Sequence, residues 1–461
     1  MTKKYDAVII GAGMSGLAAG IRLAMFEKNV LILERHNISG GLNSYYKRGK
    51  REFDVGLHAL TNFAGPKDRQ LPLGKLLKQL RIPYESLELS EQNHSLIHFP
   101  EQELKFTNDI NVFLEEVAQK FPAQIDNLRR LIEKIKNFNE VSLENEFLPA
   151  KVVVRQFISD ESLVEMIFCP LLIYGSAWEN DMDFSQFVIM FKSIFLEGFS
   201  RPKGGVRTIL NLLKDRYEKL GGEIRFKTGV KQILSEGPKI TSVILDNDEQ
   251  IDTENILSSA GLPETLAMCQ EGSKRPPRTG NLSFTESILI TEKKPSFFKQ
   301  DATIIFYNNR PHYTYQKSVD YIDAESAVIC FPNNFKFDES TEGVMRVTNI
   351  ANYDKWQQLP RPEYLTQKDI VFKNAQKTLQ KFLPGFNGDF LFKDIFSPTT
   401  VKRYTGHFGG AVYGSPDKSR NGKTHLNGLY IMGTDQGFLG IVGAMLSGIS
   451  IANLYGLLEQ K

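Results

Sequence analysis

Three glycines near the start of the chain, Gly11, Gly13 and Gly16, have the spacing of a loop that binds a dinucleotide. The apolar, β-rich residues 5–10 before them predict a strand, and the apolar periodicity after them predicts a helix. Gly11 allows a tight turn, Gly13 lets the backbone approach a pyrophosphate, and Gly16 lets the helix pack close to the strand. Because the first N–H groups of such a helix bind phosphate oxygens, the pattern predicts a phosphate-binding loop.

A second predicted strand, residues 30–33, ends at Glu34. An acid at this place can accept hydrogen bonds from both hydroxyls of a ribose, and its charge repels a 2′-phosphate. A lone glycine motif is weak evidence, but here the strand, turn, helix, second strand and acid all follow one another. The arrangement predicts a bound dinucleotide and leaves open whether this is NAD or FAD.

The length and charge of the chain exclude several classes of protein. Its 461 residues predict two or three domains, and 41% hydrophobic with 24% charged residues indicate folded cores. With 56 Lys and Arg against 54 Asp and Glu, the net charge of +2 gives no basic footprint for nucleic acid. Cys169, Cys269 and Cys330 lie far apart and Asp6 interrupts any signal sequence, so we expect a cytoplasmic protein. A peripheral position on the inner face of a membrane stays open.

Two motifs far apart in the chain resemble the FAD-binding signature of the amine oxidase and phytoene desaturase superfamily. The first is a glycine pair within residues 34–44, followed by Phe-Asp-Val-Gly-Leu-His at 53–58. The second is a strand and polar turn at 429–435, followed by a glycine-rich helix from 440 to 448. The resemblance implies FAD as the cofactor and explains the uncharged stretch 437–458 without a membrane span. It implies cofactor contacts from Gly11, Gly13, Met14, Ser15, Gly16, Glu34, Arg35, Gly40, Gly41, Leu42, Asn43, Val230, Ala260, Gly433, Asp435, Ile441 and Val442.

Departures from the superfamily's pattern distinguish its branches. Amine oxidases usually carry a tyrosine where this chain has Ile-Val at 441–442, and a flavin-bridging lysine where it has Thr-Glu-Ser at 285–287. Residues 442–448 are similar to carotenoid desaturases, and residues 53–58 and 409–414 are similar to retinol saturases and carotenoid isomerases. We therefore favour the desaturase, isomerase and saturase group, without choosing a member.

The resemblance also implies an α/β fold. A Rossmann-type FAD-binding domain, as in flavoproteins with two dinucleotide-binding domains, would be interleaved with an α+β substrate domain. The discontinuous FAD-binding domain is expected at 1–72, 201–279 and 393–461. The substrate-binding domain, a helical cover with a sheet floor, is expected at 73–200 and 280–392.

Hydrophobic patterning predicts elements within these insertions. The predicted helices are 110–121, 124–138 and 367–382, and the strand-like runs are 303–307, 312–316 and 327–331. A stripe at helical spacing comprises Phe184, Phe187, Phe191, Phe195 and Phe199. Such stripes are more often core packing, but this one could also form a wall of a tunnel for a long apolar substrate or a face that enters a bilayer.

The function implied by the resemblance is that of an FAD-dependent oxidoreductase that desaturates, saturates or isomerises an apolar polyunsaturated lipid of the isoprenoid or carotenoid kind. A flavin amine oxidase and a non-catalytic, prenyl-binding escort protein of the same fold are the alternatives. Family topology brings five candidate acid–base residues near the flavin: His58, Tyr174, Arg403, Tyr404 and His407. No second glycine motif follows a strand, so electrons are expected to pass to or from oxygen, a quinone, a redox protein or a directly binding reduced cofactor. The histidines lack metal-ligand spacing, so no metal site is expected.

Overall fold

The computed structural model of the protein describes residues 5–270 and 275–458. Residues 1–4, and the parts of the predicted domains that fall on 271–274 and 459–461, lie outside these ranges. The strands are β1 (Ala7–Ile10), β2 (Val30–Glu34), β3 (Tyr45–Arg48), β4 (Arg51–Asp54), β5 (Leu89–Glu91), β6 (Ser95–His98), β7 (Glu103–Phe106), β8 (Ser200–Pro202), β9 (Glu223–Phe226), β10 (Val230–Glu236), β11 (Lys239–Leu245), β12 (Gln250–Asp252), β13 (Ile256–Ser258), β14 (Ser283–Thr291), β15 (Ile304–Asn308), β16 (Ser326–Cys330), β17 (Gly343–Ala351), β18 (Phe392–Phe396) and β19 (Leu429–Ile431). The helices are α1 (Met14–Ala24), α2 (Pro72–Leu80), α3 (Ile110–Lys120), α4 (Ile125–Asn137), α5 (Ala150–Val154), α6 (Glu161–Gly175), α7 (Phe184–Phe191), α8 (Val206–Lys219), α9 (Leu262–Ala267), α10 (Tyr353–Gln357), α11 (Arg361–Phe382), α12 (Pro398–Thr405) and α13 (Gly440–Ile451). Two π-helical segments, Lys192–Leu196 and Ala452–Leu457, continue α7 and α13.

The glycine motif lies in a parallel sheet with the strand order β19-β13-β1-β2-β9. Val8 of β1 pairs with Ile256 on one side and with Leu31 on the other, and Ile256 pairs in turn with Leu429. Both β1 and β2 are buried throughout, as expected for unbroken apolar strands that are covered on both faces. Helix α1 packs on these strands and against α8 and α13. This parallel, helix-covered sheet is the arrangement that the Rossmann-type prediction requires.

A second, mixed sheet has the strand order β18-β14-β17-β16-β15-β6-β7 and takes strands from both insertions. The hairpin of β6 and β7 joins it through a parallel pairing of β6 with β15. One face of the sheet, with Phe306 and Val328, packs into the core formed by α3 to α7. The other face, with Ile305 and Val347, packs against α11. The sheet therefore lies under a helical layer, whereas the division of the chain into domains stays a prediction.

Most of the predicted elements lie close to the observed ones, but the strand predicted at 312–316 was wrong. Tyr313 and Tyr315 are both buried, which imitates the alternation of a strand. The Tyr315 backbone N–H donates to Asn180 Oδ1 at 2.9 Å, and its carbonyl accepts from the Asn180 N–H at 2.7 Å. This segment therefore pairs with a bend and not with a strand.

The phenylalanine stripe belongs to the helical core. Phe195 stacks on Phe113 with ring centroids 4.6 Å apart, and Phe187 stacks on Phe168 at 5.0 Å. These rings are buried, and no member of the stripe lines the cavity described below. The interpretation as core packing is therefore confirmed.

The C-terminal helix, Gly440–Leu457, is long and apolar enough to cross a membrane by length and composition, and half of it is buried inside the protein. It packs closely on α1: a Cβ added at Gly448 would lie 2.1 Å from the Ser15 carbonyl oxygen. This contact with the nucleotide-binding sheet's first helix accounts for the apolar character of the segment.

Candidate functional site

A cavity of about 750 Å³ lies between the two sheets. One end is lined by Glu34 and Val230, near the parallel sheet, and the other by Tyr174 and Phe284, near the mixed sheet. The predicted cofactor-binding residues that line it are Gly11, Gly13, Met14, Ser15, Glu34, Arg35, Gly40, Gly41, Leu42, Asn43, Val230, Ala260, Gly433 and Ile441. The fold thus brings residues from both ends of the chain to one elongated site.

The glycine turn leaves room for a ligand on one side and none on the other. A Cβ added at Gly13 would meet nothing within 4 Å, because it would point into open space. A Cβ added at Gly11 would lie 2.4 Å from Ser259 Oγ, where the φ of +98° also favours glycine. Helix α1 has no side-chain cap and no acidic residue in its first turn, so its N-terminal N–H groups can bind an anion.

Glu34 is held in place by the backbone around it. Its two carboxylate oxygens accept hydrogen bonds from the N–H groups of Ala12 and His36, each at 2.8 Å. The side chain is buried and lines the cavity beside Val230 and Ala260. A carboxylate oxygen has more than one lone pair, so Glu34 can still accept from ribose hydroxyls.

The second glycine pair and the C-terminal helix line the cavity between its two ends. Gly40 and Gly41 have φ values of +119° and +57°, which favour glycine, and a Cβ at Gly41 would meet nothing within 4 Å. Helix α13 begins at Gly440 without a side-chain cap and without an acid in its first turn. Its dipole therefore favours negative charge at this part of the cavity. These residues fit the pyrophosphate, ribityl and ring portions of FAD.

Two predicted cofactor residues serve packing instead of lining the cavity. A Cβ at Gly16 would lie 2.0 Å from the Gly11 carbonyl oxygen, so this glycine allows α1 to lie against the strand before it. Val442 is buried in the core that α1 and α13 share. Both positions support the shape of the site without facing it.

Asp435 also does not line the cavity, since its carboxylate is used inside the protein. It accepts hydrogen bonds from the N–H groups of Leu262 at 2.6 Å and Ser415 at 2.8 Å, and it lies 3.2 Å from Lys418 Nζ. Burial lowers the pKa of Lys418, although Asp435 raises it. The carboxylate therefore joins three segments around the turn Gly433–Gln436.

The end of the cavity beside the mixed sheet, the inner end, is lined mainly by the apolar and aromatic side chains Ile173, Tyr174, Met190, Phe284, Val328, Tyr413 and Leu439. His58 also lies here, and its ring stacks on that of Tyr174 with centroids 6.2 Å apart. The Tyr174 hydroxyl is buried without a hydrogen-bond partner in the described part of the chain. Burial raises the pKa of Tyr174 well above its ordinary value, so the hydroxyl keeps a proton that a ligand could receive.

A buried ion pair lies beside His58. Glu286 in β14 and Arg346 in β17 are 7% and 3% exposed, and Arg346 Nε donates to Glu286 Oε1. Burial raises the pKa of Glu286, but the Arg346 charge, the nearby His58 and the hydrogen bonds from both together lower it to about 2, so the carboxylate is ionised. His58 Nε2 lies 3.1 Å from Thr348 Oγ1 and 3.5 Å from Glu286 Oε1. Burial lowers the pKa of His58 although Glu286 raises it, so the imidazole is neutral near pH 7.

Two arginines hold the turn that carries His58. Arg346 donates to the carbonyl of Leu57 at 2.7 Å and to that of Val55 at 2.8 Å. Arg201 donates to the carbonyls of Leu57 at 3.3 Å and His58 at 3.4 Å. The backbone of the Phe-Asp-Val-Gly-Leu-His turn is therefore fixed, and the imidazole has a defined position.

Sequence reasoning did not include Glu286 and Arg346 among the site residues. Their signal is in the composition of two strands: β14 and β17 are nine residues each, and each carries a single charged residue. A charge in an otherwise uncharged buried strand requires a partner, because an isolated buried charge is costly. What the sequence does not give is the register, in which Glu286 lies opposite Thr348, and Ile288 opposite Arg346.

The remaining acid–base candidates lie elsewhere. The Tyr404 ring lines the cavity and packs on His36 with centroids 5.1 Å apart, which places it at the ribose end. His407 lines the cavity too, and its Nδ1 lies 2.8 Å from the Ala411 carbonyl oxygen. Arg403 is exposed outside the cavity, with its guanidinium carbon 5.6 Å from the Tyr404 ring centroid. Of the five candidates, His58 and Tyr174 meet at the inner end.

Known proteins match nearly the whole chain. A family model described as flavin containing amine oxidoreductase matches residues 14–454. Prolycopene isomerase from Arabidopsis thaliana is 24% identical over 97% of this chain and 82% of its own length. All-trans-retinol 13,14-reductase from Danio rerio is 21% identical over 97% of this chain and 85% of its own.

Solved structures share the fold. An oxidoreductase from Methanosarcina mazei has a TM-score of 0.68 at 16% identity and covers 97% of this chain and 99% of its own. A triple mutant of putrescine oxidase has a TM-score of 0.64 at 14% identity, with 98% of each chain covered. Together with the strand order, these matches confirm the predicted α/β, FAD-binding fold.

Proposed function

This chain belongs to the flavin-containing amine oxidoreductase family, and we propose that, as an FAD-dependent oxidoreductase, it desaturates, saturates or isomerises an apolar polyunsaturated lipid. The observation that carries the proposal is the inner end of the cavity, whose walls are apolar and aromatic except for the polar group around His58. Such walls bind a hydrocarbon by burying its surface, and they exclude water from the reacting carbon atoms.

The relatives support a substrate of this kind. Prolycopene isomerase and all-trans-retinol 13,14-reductase act, by their names, on prolycopene and retinol, both of which are polyunsaturated isoprenoids. Each of these relatives is similar to this chain over 97% of the length of this chain. We propose the isoprenoid class for this chain on that basis and, because such apolar lipids dissolve in a bilayer, a peripheral position at the inner face of a membrane.

When bound, FAD supplies a hydride acceptor or donor at N5. The N-terminus of α13, which begins at Gly440 without an acid in its first turn, stabilises negative charge at that part of the cavity. The electron partner we propose is a quinone, oxygen or a redox protein. The residues of the chain itself bind the cofactor, exclude water and move a proton.

The proton would move through His58. Its Nε2 faces the ionised Glu286 and Thr348, so Nε2 carries the proton of the neutral ring and Nδ1 is the basic atom. A desaturation would release a substrate proton to Nδ1, and a saturation would take one from the charged ring or from the Tyr174 hydroxyl. The imidazolium formed in this way lies 3.5 Å from Glu286, which raises the pKa of His58, and near Arg346, which lowers it, so the charged ring is a short-lived proton carrier.

An amine substrate is disfavoured by the same cluster. Glu286 could attract an ammonium group, but its charge is already balanced by Arg346, which is fully buried with it. An added cation would lie close to the guanidinium in a poorly screened site. The residues at 441–442 are Ile and Val, so they provide no aromatic wall for an amine.

The test is the visible spectrum of the purified holoenzyme under anaerobic conditions, before and after addition of a polyunsaturated isoprenoid extract or of putrescine. Bleaching by the lipid shows a desaturation, and a changed lipid that requires prior reduction of the flavin shows a saturation or isomerisation. Bleaching by putrescine alone, or an unchanged lipid in both redox states, would overturn the proposal. His58→Asn should retain the flavin spectrum and lose the lipid conversion, whereas His94→Asn, directly before β6 and outside the cavity lining, should lose neither.

A further inference from the structure

A hydrogen-bonded chain leaves the FAD cavity beside the start of α13. Thr61 is buried and lines the cavity, and its Oγ1 lies 3.4 Å from the position that a Cβ on Gly440 would occupy. The Thr61 hydroxyl donates to Asn62 Oδ1 at 3.1 Å, and Asn62 Nδ2 donates to Glu197 Oε2 at 2.9 Å. Three side chains thus connect the cavity wall to a carboxylate outside it.

The middle of this chain is held in an unusual backbone conformation. Asn62 has a φ of +62°, a conformation that L-residues rarely adopt, although asparagine tolerates it better than most. Its backbone N–H donates to the carbonyl of Ser193, within the π-helical segment Lys192–Leu196, at 3.1 Å. A strained residue that the surroundings hold in place is typical of functional positions. In this conformation the side-chain amide of Asn62 forms hydrogen bonds with both Thr61 and Glu197.

The outer end of the chain reaches a second cavity. Glu197 lines a solvent-open space of about 500 Å³, on whose walls Asp68, Glu91, Asp109 and Lys336 also lie. The charges that act on Glu197 are those of Glu140 and of Lys192 in the preceding π-helical segment, which pair with each other at 2.7 Å. Protons from solvent can therefore reach Glu197 without passing through the FAD cavity.

We propose that Glu197, acting through the Asn62 amide, sets whether the Thr61 hydroxyl donates or accepts a hydrogen bond where it meets bound FAD. An ionised Glu197 can only accept hydrogen bonds, so the Asn62 amide turns its N–H₂ group to Glu197 and its oxygen to Thr61. The Thr61 hydroxyl then donates its proton to Asn62 Oδ1, and only the lone pairs of Thr61 Oγ1 face the cavity. A protonated Glu197 can donate to the amide oxygen, which allows the amide to turn and frees the Thr61 proton for the cofactor.

The protonation of Glu197 changes in the neutral range. Burial raises its pKa to about 7, while the hydrogen bond from Asn62 lowers it, the charge of Glu140 raises it and that of Lys192 lowers it. Both hydrogen-bonding states of Thr61 are therefore populated near neutral pH. The inference depends on bound FAD and not on the lipid, so it and the proposed function can fail separately.

The experiment records the visible absorption of oxidised, bound FAD against pH, across about two pH units on each side of 7. The oxidised ring does not itself titrate there, so a spectral midpoint reports the protein. The wild type is expected to show a midpoint near 7, which Glu197→Gln abolishes and Glu140→Gln moves to lower pH. In the wild type and in Glu140→Gln, the carboxyl resonance of ¹³C-labelled Glu197 is followed in the same pH series, and in every variant FAD content and thermal unfolding show that the fold is kept.

Asn62→Gly separates the hydrogen-bonded chain from simple charge. Glycine accepts the φ of +62° and lacks the amide, so Glu197 should still titrate by its carboxyl resonance while the FAD spectrum no longer follows it. A spectrum that keeps its midpoint in Asn62→Gly shows an effect of charge through space and overturns the proposal. A midpoint that survives in Glu197→Gln, or a wild-type spectrum that does not change with pH, overturns it as well.

Discussion

Replacement of Arg346 by methionine tests the buried ion pair most directly. The substitution keeps an apolar stem but leaves the Glu286 carboxylate buried without a partner, and it removes the donors to the Leu57 and Val55 carbonyls. Lowering the pKa of Glu286 from its ordinary 4.5 to about 2 corresponds to about 3 kcal/mol of stability. Because breaking a buried pair costs about 3–5 kcal/mol, we expect Arg346→Met to lower the free energy of unfolding by about that much.

The pH dependence of this contribution follows from the direction of the change. The folded pKa of Glu286 is below the unfolded value, so the stabilisation is complete above about pH 4.5 and is lost as the pH falls toward about 2. Glu286→Gln combined with Arg346→Met removes both charges, and we expect the double variant to recover at least about 2 kcal/mol of the single loss.

The assay is guanidinium unfolding at saturating FAD, followed by the fluorescence of the two tryptophans, of which Trp356 is buried on the α11 side of the mixed sheet. The matched control is Arg278→Met, since Arg278 forms an exposed bidentate pair with Asp417. An exposed pair of this kind is worth about 1 kcal/mol or less. Equal losses for Arg346→Met and Arg278→Met, or losses that simply add in the double variant, would refute the reasoning.

Three further outcomes are expected. Gly13→Ala should weaken FAD binding at least about tenfold, measured by flavin fluorescence, and leave the free energy of unfolding unchanged, because its Cβ meets only open cavity. Gly16→Ala, whose Cβ meets the Gly11 carbonyl, should instead lower the free energy of unfolding by about 1–3 kcal/mol. Tyr174→Phe removes a buried hydroxyl that lacks a partner, so urea unfolding should show unchanged or higher stability, by about 1 kcal/mol, while kcat on the lipid falls. Because the folded pKa of His58 is lowered, stability should decline as the pH falls through about 6.5, and a His58→Asn variant should show a shallower decline; identical profiles would contradict the assignment of a neutral imidazole.

The FAD end of the site was predictable because its information is local. The turn at Gly11, the open side of Gly13 and the acid at Glu34 each follow from a few neighbouring residues and the geometry of a strand entering a helix. The same holds for the second glycine pair, where the positive φ values of Gly40 and Gly41 require glycine.

The inner end was only partly predictable because it depends on strand register and on helix direction. Glu286 and Arg346 meet because β14 and β17 pair with a particular offset, which no local pattern specifies. Arg403 was expected near the flavin, but it lies on α12 with its side chain at the surface beside Tyr404. Asp435 has the residue type of a cofactor ligand, but its carboxylate accepts a hydrogen bond from the backbone N–H of Ser415 instead of facing the cavity.

The order of strands in the parallel sheet has a consequence for how the protein is made. β1 is synthesised well before one of its two neighbours, β13, which begins at Ile256, and β13 in turn waits for β19 at Leu429. At about 5–20 residues per second, β1 spends roughly ten to fifty seconds with one unpaired edge. Helix α13, which lines the FAD cavity, emerges later still, so the cavity is complete only after residues 440–451 have left the ribosome. Until then the unpaired edges of β1 and β13 are open to pairing with other chains, and flavin has no complete site to bind.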